Sequence, residues 1–246
     1  MKKSLILAAV LLATGSFFIV SCKSNDSDTS LKSPKALNTA INQQKENVEN
    51  NPIAKTVSLT NTFAKFESGN LQAAFKGETI ASAKYAAYSK KAEQEGLHKI
   101  ALLFKAASTA ENIHANNHKA VLKESGISVP VIEPQYSVGT TRENLEDAIK
   151  GETYEVTTMY PQFLTVANEA GDQMALISLN YAYKTEKKHK VMYETALAAL
   201  NNNTANTLPA VYYVCATCGN TYQTTAPARC GISMTKSGRF IKITTL

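Results

Sequence analysis

The 246-residue sequence has no tryptophan, 11 glycines and four cysteines, and 19% of its residues are charged. The missing tryptophan and the sparse glycine exclude no function. Nowhere do lysines and arginines cluster with interleaved aromatics, as a groove for single-stranded nucleic acid needs, so no nucleic-acid partner is expected. The formal charge of +6 does not change this, because Lys2 and Lys3 fall in a segment expected to be removed, leaving 24 basic against 20 acidic residues. The apolar run from Leu5 to Val20 is too short and wrongly flanked for a transmembrane helix. From Lys23 to about Pro52 large apolar residues are scarce among Ser, Asn, Asp, Lys and Gln, so that stretch cannot bury enough surface to order itself. The remainder, in a chain that is 44% hydrophobic overall, can form a sizeable core, and the length suggests a main domain with smaller pieces.

Lys2 and Lys3 precede the apolar run, and small Ser21 and then Cys22 follow it, which is the layout of a secretory signal peptide. The tetrad Ile19, Val20, Ser21, Cys22 resembles a bacterial lipobox. That resemblance implies cleavage before Cys22, lipidation of its thiol, and a location in the cell envelope, facing the periplasm or the cell surface. The protein would be held to the membrane by acyl chains and would not span it. The expected organisation is a signal peptide over 1–21, a flexible tether over 22–57, a helical bundle over 58–203 and a small domain over 208–246.

An internal repeat organises the bundle. Asn70, Leu71, Ala74, Lys76, Gly77, Glu78 and Thr79 recur as Asn144, Leu145, Ala148, Lys150, Gly151, Glu152 and Thr153, and Glu111 with His114 is matched by Glu186 with His189. Each half reads as a helical hairpin. Leu71, Ala74, Phe75, Glu78, Ala81, Tyr85 and Tyr88 recur at three- and four-residue intervals, and Gly96 stands where a helix would end. A second helix runs from about Leu97 to Lys123. Ile127 to Gly139, with two prolines and no helical period, reads as the long crossover of a ferritin-like four-helix bundle. Thr140 and Glu143 form a capping box for a third helix, which should kink near Pro161 and end at Gly171. A fourth helix runs from about Asp172 to the Asn201–Asn203 run. Val211 to Val214 are β-formers leading into a Cys-rich tail.

A Glu followed three residues later by His puts both side chains on one helix face. That unit occurs at Glu111 with His114 and at Glu186 with His189, and the other two helices each offer a Glu after the repeated Lys-Gly, at Glu78 and Glu152. Carboxylates from two helices and a Glu-x-x-His from each of the others make the di-iron pattern of such bundles, with hard oxygens to neutralise two cations and imidazoles to complete the ligand sets. His98 and His118 have no repeat partner and are expected at the surface.

The third helix then reads Gly151, Glu152, Thr153, Tyr154, Glu155, followed by Met159, Tyr160 and Pro161. This resembles the rubrerythrin form of the bundle, in which an extra Glu follows the bridging one by three and a Cys-rich tail follows the bundle. The likeness covers roughly Leu71 to the C-terminus. It implies a mainly α fold with a small C-terminal rubredoxin-like domain, two iron ions, and reduction of hydrogen peroxide to water with electrons from an unidentified donor. It also implies a homodimer in which one subunit's tail approaches the other's bundle. Residue by residue it implies Glu111 and Glu152 as bridges, Glu78 as a terminal ligand of a mobile iron, and Glu186 with His189 on the other iron. Glu155 and His114 would hold the mobile iron in alternation, the Glu when oxidised and the His when reduced, and Tyr85 would lie near the site. A bundle that binds or oxidises iron without turning over peroxide is the alternative, and zinc or manganese replacing one iron is left open.

Cys215, Ala216, Thr217, Cys218 forms a Cys-x-x-Cys knuckle, and Cys230 follows at the spacing of a rubredoxin-like domain, but the fourth position is Ser233. Three cysteines cannot all pair as disulfides, so a site for one Fe or Zn, or its degenerate remnant, is the better reading. Ser233 would offer an oxygen, a harder donor than thiolate, which should lower an iron potential or weaken binding.

Overall fold

The computed structural model describes residues 52–246, with side chains described from residue 68. The signal peptide, the lipobox with Cys22 and most of the tether lie outside the described residues. The backbone is helical from Pro52, six residues ahead of the boundary expected for the bundle. No helix among the described residues is long and apolar enough to cross a membrane.

Helix α1 (Pro52–Gln94) ends at Gly96, whose φ of +74° lets Leu97 N–H reach back to the Ala92 carbonyl at 2.9 Å. Helix α2 (His98–Glu124) returns antiparallel to it, and residues 125–140 then cross without regular structure. Helix α3 (Thr141–Tyr154) begins with the expected capping box: Thr140 Oγ1 accepts from Glu143 N–H, and Glu143 Oε2 accepts from Thr140 N–H at 2.8 Å. The irregularity expected near Pro161 is a π-turn over Glu155–Met159, where Tyr160 N–H bonds five residues back to the Glu155 carbonyl, after which helix α4 (Tyr160–Ala170) resumes. Proline cannot donate, and the wider turn absorbs the break without ending the helix. Gly171, at φ +73°, closes α4, and Asp172 caps α5 (Gln173–Asn201) by accepting from Met174 and Ala175 N–H.

Two apolar clusters fill the bundle. One gathers Tyr85, Phe104 and Tyr193, with ring centroids 5.2–6.1 Å apart, and Leu145 and Ala148; the other gathers Leu71, Phe75, Leu122, Tyr160 and Leu179. Along every helix the expected metal ligands fall between these two sets: Glu78 between Phe75 and Tyr85, Glu152 between Ala148 and Tyr160, Glu186 and His189 between Ala182 and Met192. The repeat is thus the signature of a polar layer held inside an apolar bundle.

The tail forms a three-stranded antiparallel sheet in the order β2-β1-β3, with β1 (Tyr212–Cys215), β2 (Thr221–Gln223) and β3 (Phe240–Ile243). Tyr212, Val214 and Ile243 join the Tyr85 cluster, so the small domain shares a core with the bundle of its own chain.

Candidate metal centre

Glu78, Glu111, His114, Glu152, Glu186 and His189 are all buried. They form two overlapping groups, Glu78, Glu111, His114 and Glu186 on one side and Glu111, Glu152, Glu186 and His189 on the other, with ligand atoms in each group within 4.8 Å of one another. Glu111 and Glu186 stand in both. The resemblance gives the second shared position to Glu152, but here Glu186 spans the centre, with Oε1 2.8 Å from His114 Nδ1 and Oε2 2.8 Å from His189 Nδ1. Glu155 is half-buried in the π-turn and belongs to neither group.

These contacts are close, yet many do not have hydrogen-bond geometry. Glu78 Oε2, Glu152 Oε2, both oxygens of Glu186 and His189 Nδ1 are buried without a hydrogen-bond partner. Around His114 Nδ1 alone lie Glu186 Oε1 at 2.8 Å, Glu111 Oε2 at 2.9 Å and Glu78 Oε2 at 3.7 Å, more acceptors than one nitrogen can serve. Buried carboxylates are tolerated only when paired or coordinated to metal. Lone pairs converging on shared points fit cations between them, and the four carboxylates match the charge of two divalent ions.

The tail fixes how the imidazoles face. His114 Nε2 lies 3.1 Å from the Cys218 carbonyl, an acceptor only, so Nε2 carries the proton and Nδ1 turns to the centre. His189 Nε2 lies 2.9 Å from Thr221 Oγ1, whose own hydroxyl donates to the Gly219 carbonyl, so the same tautomer results. Metal-binding histidines generally take their orientation from such outer partners. Asn117 Nδ2 to the Thr217 carbonyl at 2.9 Å and Lys188 Nζ to Asn220 Oδ1 at 2.6 Å fasten the same contact.

Two tyrosines hold the carboxylates. Tyr85 OH donates to Glu152 Oε1 at 2.8 Å, which puts the sequence candidate Tyr85 in the site as well as in the core. Tyr160, in the Met159, Tyr160, Pro161 stretch, donates its OH to Glu78 Oε1 and is a site residue that helical spacing alone does not reveal. Behind it, His118 Nε2 lies 3.3 Å from Tyr160 OH and His118 Nδ1 2.8 Å from Ser178 Oγ. The expected surface position of His118 is therefore corrected: it is completely buried. Its place one turn after His114 was the available signal, because residues four apart share a helix face. His98 is exposed, as expected, and pairs with Glu93.

Without metal the centre holds protons. Burial, then Glu111, raises Glu78 to about 7, and burial with Glu186 and Glu111 holds Glu152 well above the ordinary carboxylate range. Burial also pushes Glu155 up, aided by Glu78 and Glu186. For the imidazoles burial acts downward, but Glu111 and Glu186 outweigh it at His189, which rises to about 9, and Glu186 and Glu111 raise His114 in the same direction. Because the folded value of His189 exceeds its ordinary 6.5, its contribution to metal-free stability is complete below that pH and is lost as pH climbs through about 9. Metal must displace these protons. Calorimetry in buffers of different ionisation enthalpy is expected to show proton release on loading at pH 7 that shrinks above pH 9; pH-independent release of zero would contradict the assignment.

In the tail, Cys215, Cys218 and Cys230 are buried, free and mutually close, with Cys218 Sγ 3.4 Å from Cys230 Sγ, too far for a disulfide bond. Ser233 Oγ stands 3.3 Å from Cys215 Sγ, at the fourth corner. Hydrogen bonding from Cys218, then Ser233, brings Cys215 down to about 4, and Asn220 Nδ2, Tyr222 OH and the Ile232 backbone N–H all donate to Cys230 Sγ. Three sulfurs surrounded by donors, with an adjacent hydroxyl, fit a thiophilic metal such as Fe or Zn.

The family model described as Rubrerythrin matches residues 69–197. The chain belongs to the rubrerythrin family. Rubrerythrin-2 of Clostridium acetobutylicum is 32% identical over 171 residues, covering 69% of this chain and 92% of that protein. Nigerythrin of Nitratidesulfovibrio vulgaris is 35% identical over 158 residues, 61% of this chain and 73% of its own. Among solved structures, fully reduced, all-ferrous nigerythrin aligns with a TM-score of 0.64 at 30% identity, over 72% of this chain and 86% of that one. Rhodobacter capsulatus bacterioferritin, at 20% identity and a TM-score of 0.52, shares the fold. Family membership carries the di-iron cofactor and the peroxidase role that the sequence motifs implied, and the buried cluster supplies the residues to hold the metals.

Proposed function

We propose that this rubrerythrin-family protein reduces hydrogen peroxide to water in the cell envelope, anchored by a lipid on Cys22, with electrons passing from the tail metal to the bundle within one chain. The observation that carries the proposal is the hydrogen bond between His114 Nε2 and the Cys218 carbonyl, which joins a ligand of one site to the backbone of a ligand of the other. Iron in the bundle supplies the two electrons that peroxide reduction consumes. Glu78, Glu111, Glu152, Glu186, His114 and His189 bind it in a layer closed to water by apolar residues on both sides. Tyr160 and Tyr85 each occupy one oxygen of Glu78 and Glu152 and leave the other free to ligate. Glu155 and His114 act as alternates. In the described arrangement His114 stands in a ligand group and Glu155, in the adjoining π-turn, stands outside both. In this reading the protein is a homodimer in which each tail rests on the bundle of its own chain.

Anaerobic reduction followed by one equivalent of hydrogen peroxide tests this reading. Fast stoichiometric loss of peroxide with reoxidation of both bundle irons is expected. Iron that stays ferrous while peroxide persists would favour the iron-binding alternative, which the serine in the tail motivates.

A further inference from the structure

The internal repeat is broken at one place beside the centre. The offset that carries Glu111 onto Glu186 and His114 onto His189 also carries Tyr85 onto Tyr160. Each of these tyrosines donates to the glutamate of the other half, Tyr85 to Glu152 Oε1 and Tyr160 to Glu78 Oε1, so the two halves answer each other across the bundle. What stands behind the tyrosines differs. The same offset carries His118 onto Tyr193 and Leu103 onto Ser178. Behind Tyr85 lie the rings of Phe104 and Tyr193, with centroids 6.1 and 5.4 Å from its own, and the Tyr193 hydroxyl is buried without a hydrogen-bond partner. Behind Tyr160 lies a polar chain instead: His118 Nε2 is 3.3 Å from Tyr160 OH, and His118 Nδ1 is 2.8 Å from Ser178 Oγ.

The protons give this chain a direction. Tyr160 has one hydroxyl proton and gives it to Glu78, so toward His118 its oxygen accepts and Nε2 carries the imidazole proton. His118 is completely buried with only hydroxyls as partners, so the ring stays neutral and Nδ1 accepts from the Ser178 hydroxyl. Ser178, His118 and Tyr160 therefore donate in series toward Glu78. Bonds in such a series polarise one another, by about 10–30% each, and a strong donor on a carboxylate oxygen stabilises its charge and lowers its basicity. We infer that His118, with Ser178, is a positioning residue of the proposed metal centre, on which its role depends: through Tyr160 it makes Glu78 a poorer ligand than Glu152, and the metal on the Glu78 side the looser of the two. Partners outside the ligand set are an established means of tuning a metal, and here the two halves of the repeat supply unlike ones.

The test is a zinc(II) titration of the metal-free full chain, isotopically labelled at its four histidines and followed by NMR at the ring nitrogens. In the native protein His118 is expected to carry its proton on Nε2, and His189 Nδ1 is expected to respond at zinc concentrations at least about tenfold lower than His114 Nδ1. His118→Phe, which puts a ring behind Tyr160 as Tyr193 stands behind Tyr85, should tighten the His114 side and bring the two responses together. His118→Gln, which keeps an N–H for Tyr160 and an oxygen for Ser178, should preserve the native difference. Ser178→Ala, a small truncation, should free the tautomer and narrow the difference even where the phenylalanine variant folds poorly. A native difference in both His118→Phe and Ser178→Ala, equal loosening of the two sides, or a proton on His118 Nδ1 in the native chain would overturn the inference. If neither His114 nor His189 responds to zinc in the native chain, it is the metal centre itself that fails, and the role of His118 with it.

Discussion

Replacing Glu186 by glutamine is expected to lower the metal content of the bundle from two ions per chain to fewer than one and to cut peroxide turnover by at least about 100-fold. Glu186 touches both histidines, and neither of its oxygens has a hydrogen-bond partner, so both are committed to the centre. Glutamine keeps the shape and loses the charge. The same variant should also destabilise the metal-free protein below about pH 9, because the buried His114 and His189 lose the carboxylate that helps hold their protons. A variant that retained two tightly bound ions would show that Glu186 is not shared between them.

Gly219→Ala is the second large effect. A Cβ at this position would lie 2.3 Å from His114 Nε2 and 3.1 Å from the Ala110 carbonyl, on a backbone at φ +74°. Neither strain has an easy escape, because the imidazole is enclosed and the carbonyl belongs to a helix. A loss of about 2–4 kcal/mol in stability is expected, with the tail displaced from the bundle. His114 would lose the acceptor that sets its tautomer, so affinity on the Glu78 side should fall by about 10- to 100-fold while the His189 side keeps its metal. Electron passage from tail to bundle should slow in parallel. Native stability and native metal affinity in this variant would mean that the tail does not rest where His114 Nε2 meets the Cys218 carbonyl.

Much of this was legible in the sequence. The repeat fixes four ligand-bearing helices because periodicity reports which residues share a face, and two Glu-x-x-His units in register leave few other ways to arrange six polar groups. The capping box at Thr140 and the helix ends at Gly96 and Gly171 follow from local chemistry alone. What stayed hidden depends on contacts between distant segments. The Cys218 carbonyl that orients His114 is backbone and carries no side-chain signal. The burial of His118 is set by Tyr160 and Ser178 on other helices. The prominence of Glu186 over Glu152 at the shared position depends on side-chain directions that residue spacing does not encode. Pro161 marked an irregularity, but its form as a π-turn follows from how the helix repacks around the missing donor.

The central claim is that four glutamates and two histidines enclose a pair of metal ions. Anomalous scattering from crystals of the iron-loaded protein, collected at the iron edge, tests it most directly. Two peaks about 3.5–4 Å apart are expected between Glu111 and Glu186, one on the His114 side and one on the His189 side. A bundle with no peak there, or with Glu78, Glu111, Glu152 and Glu186 turned outward to bulk water, would contradict it.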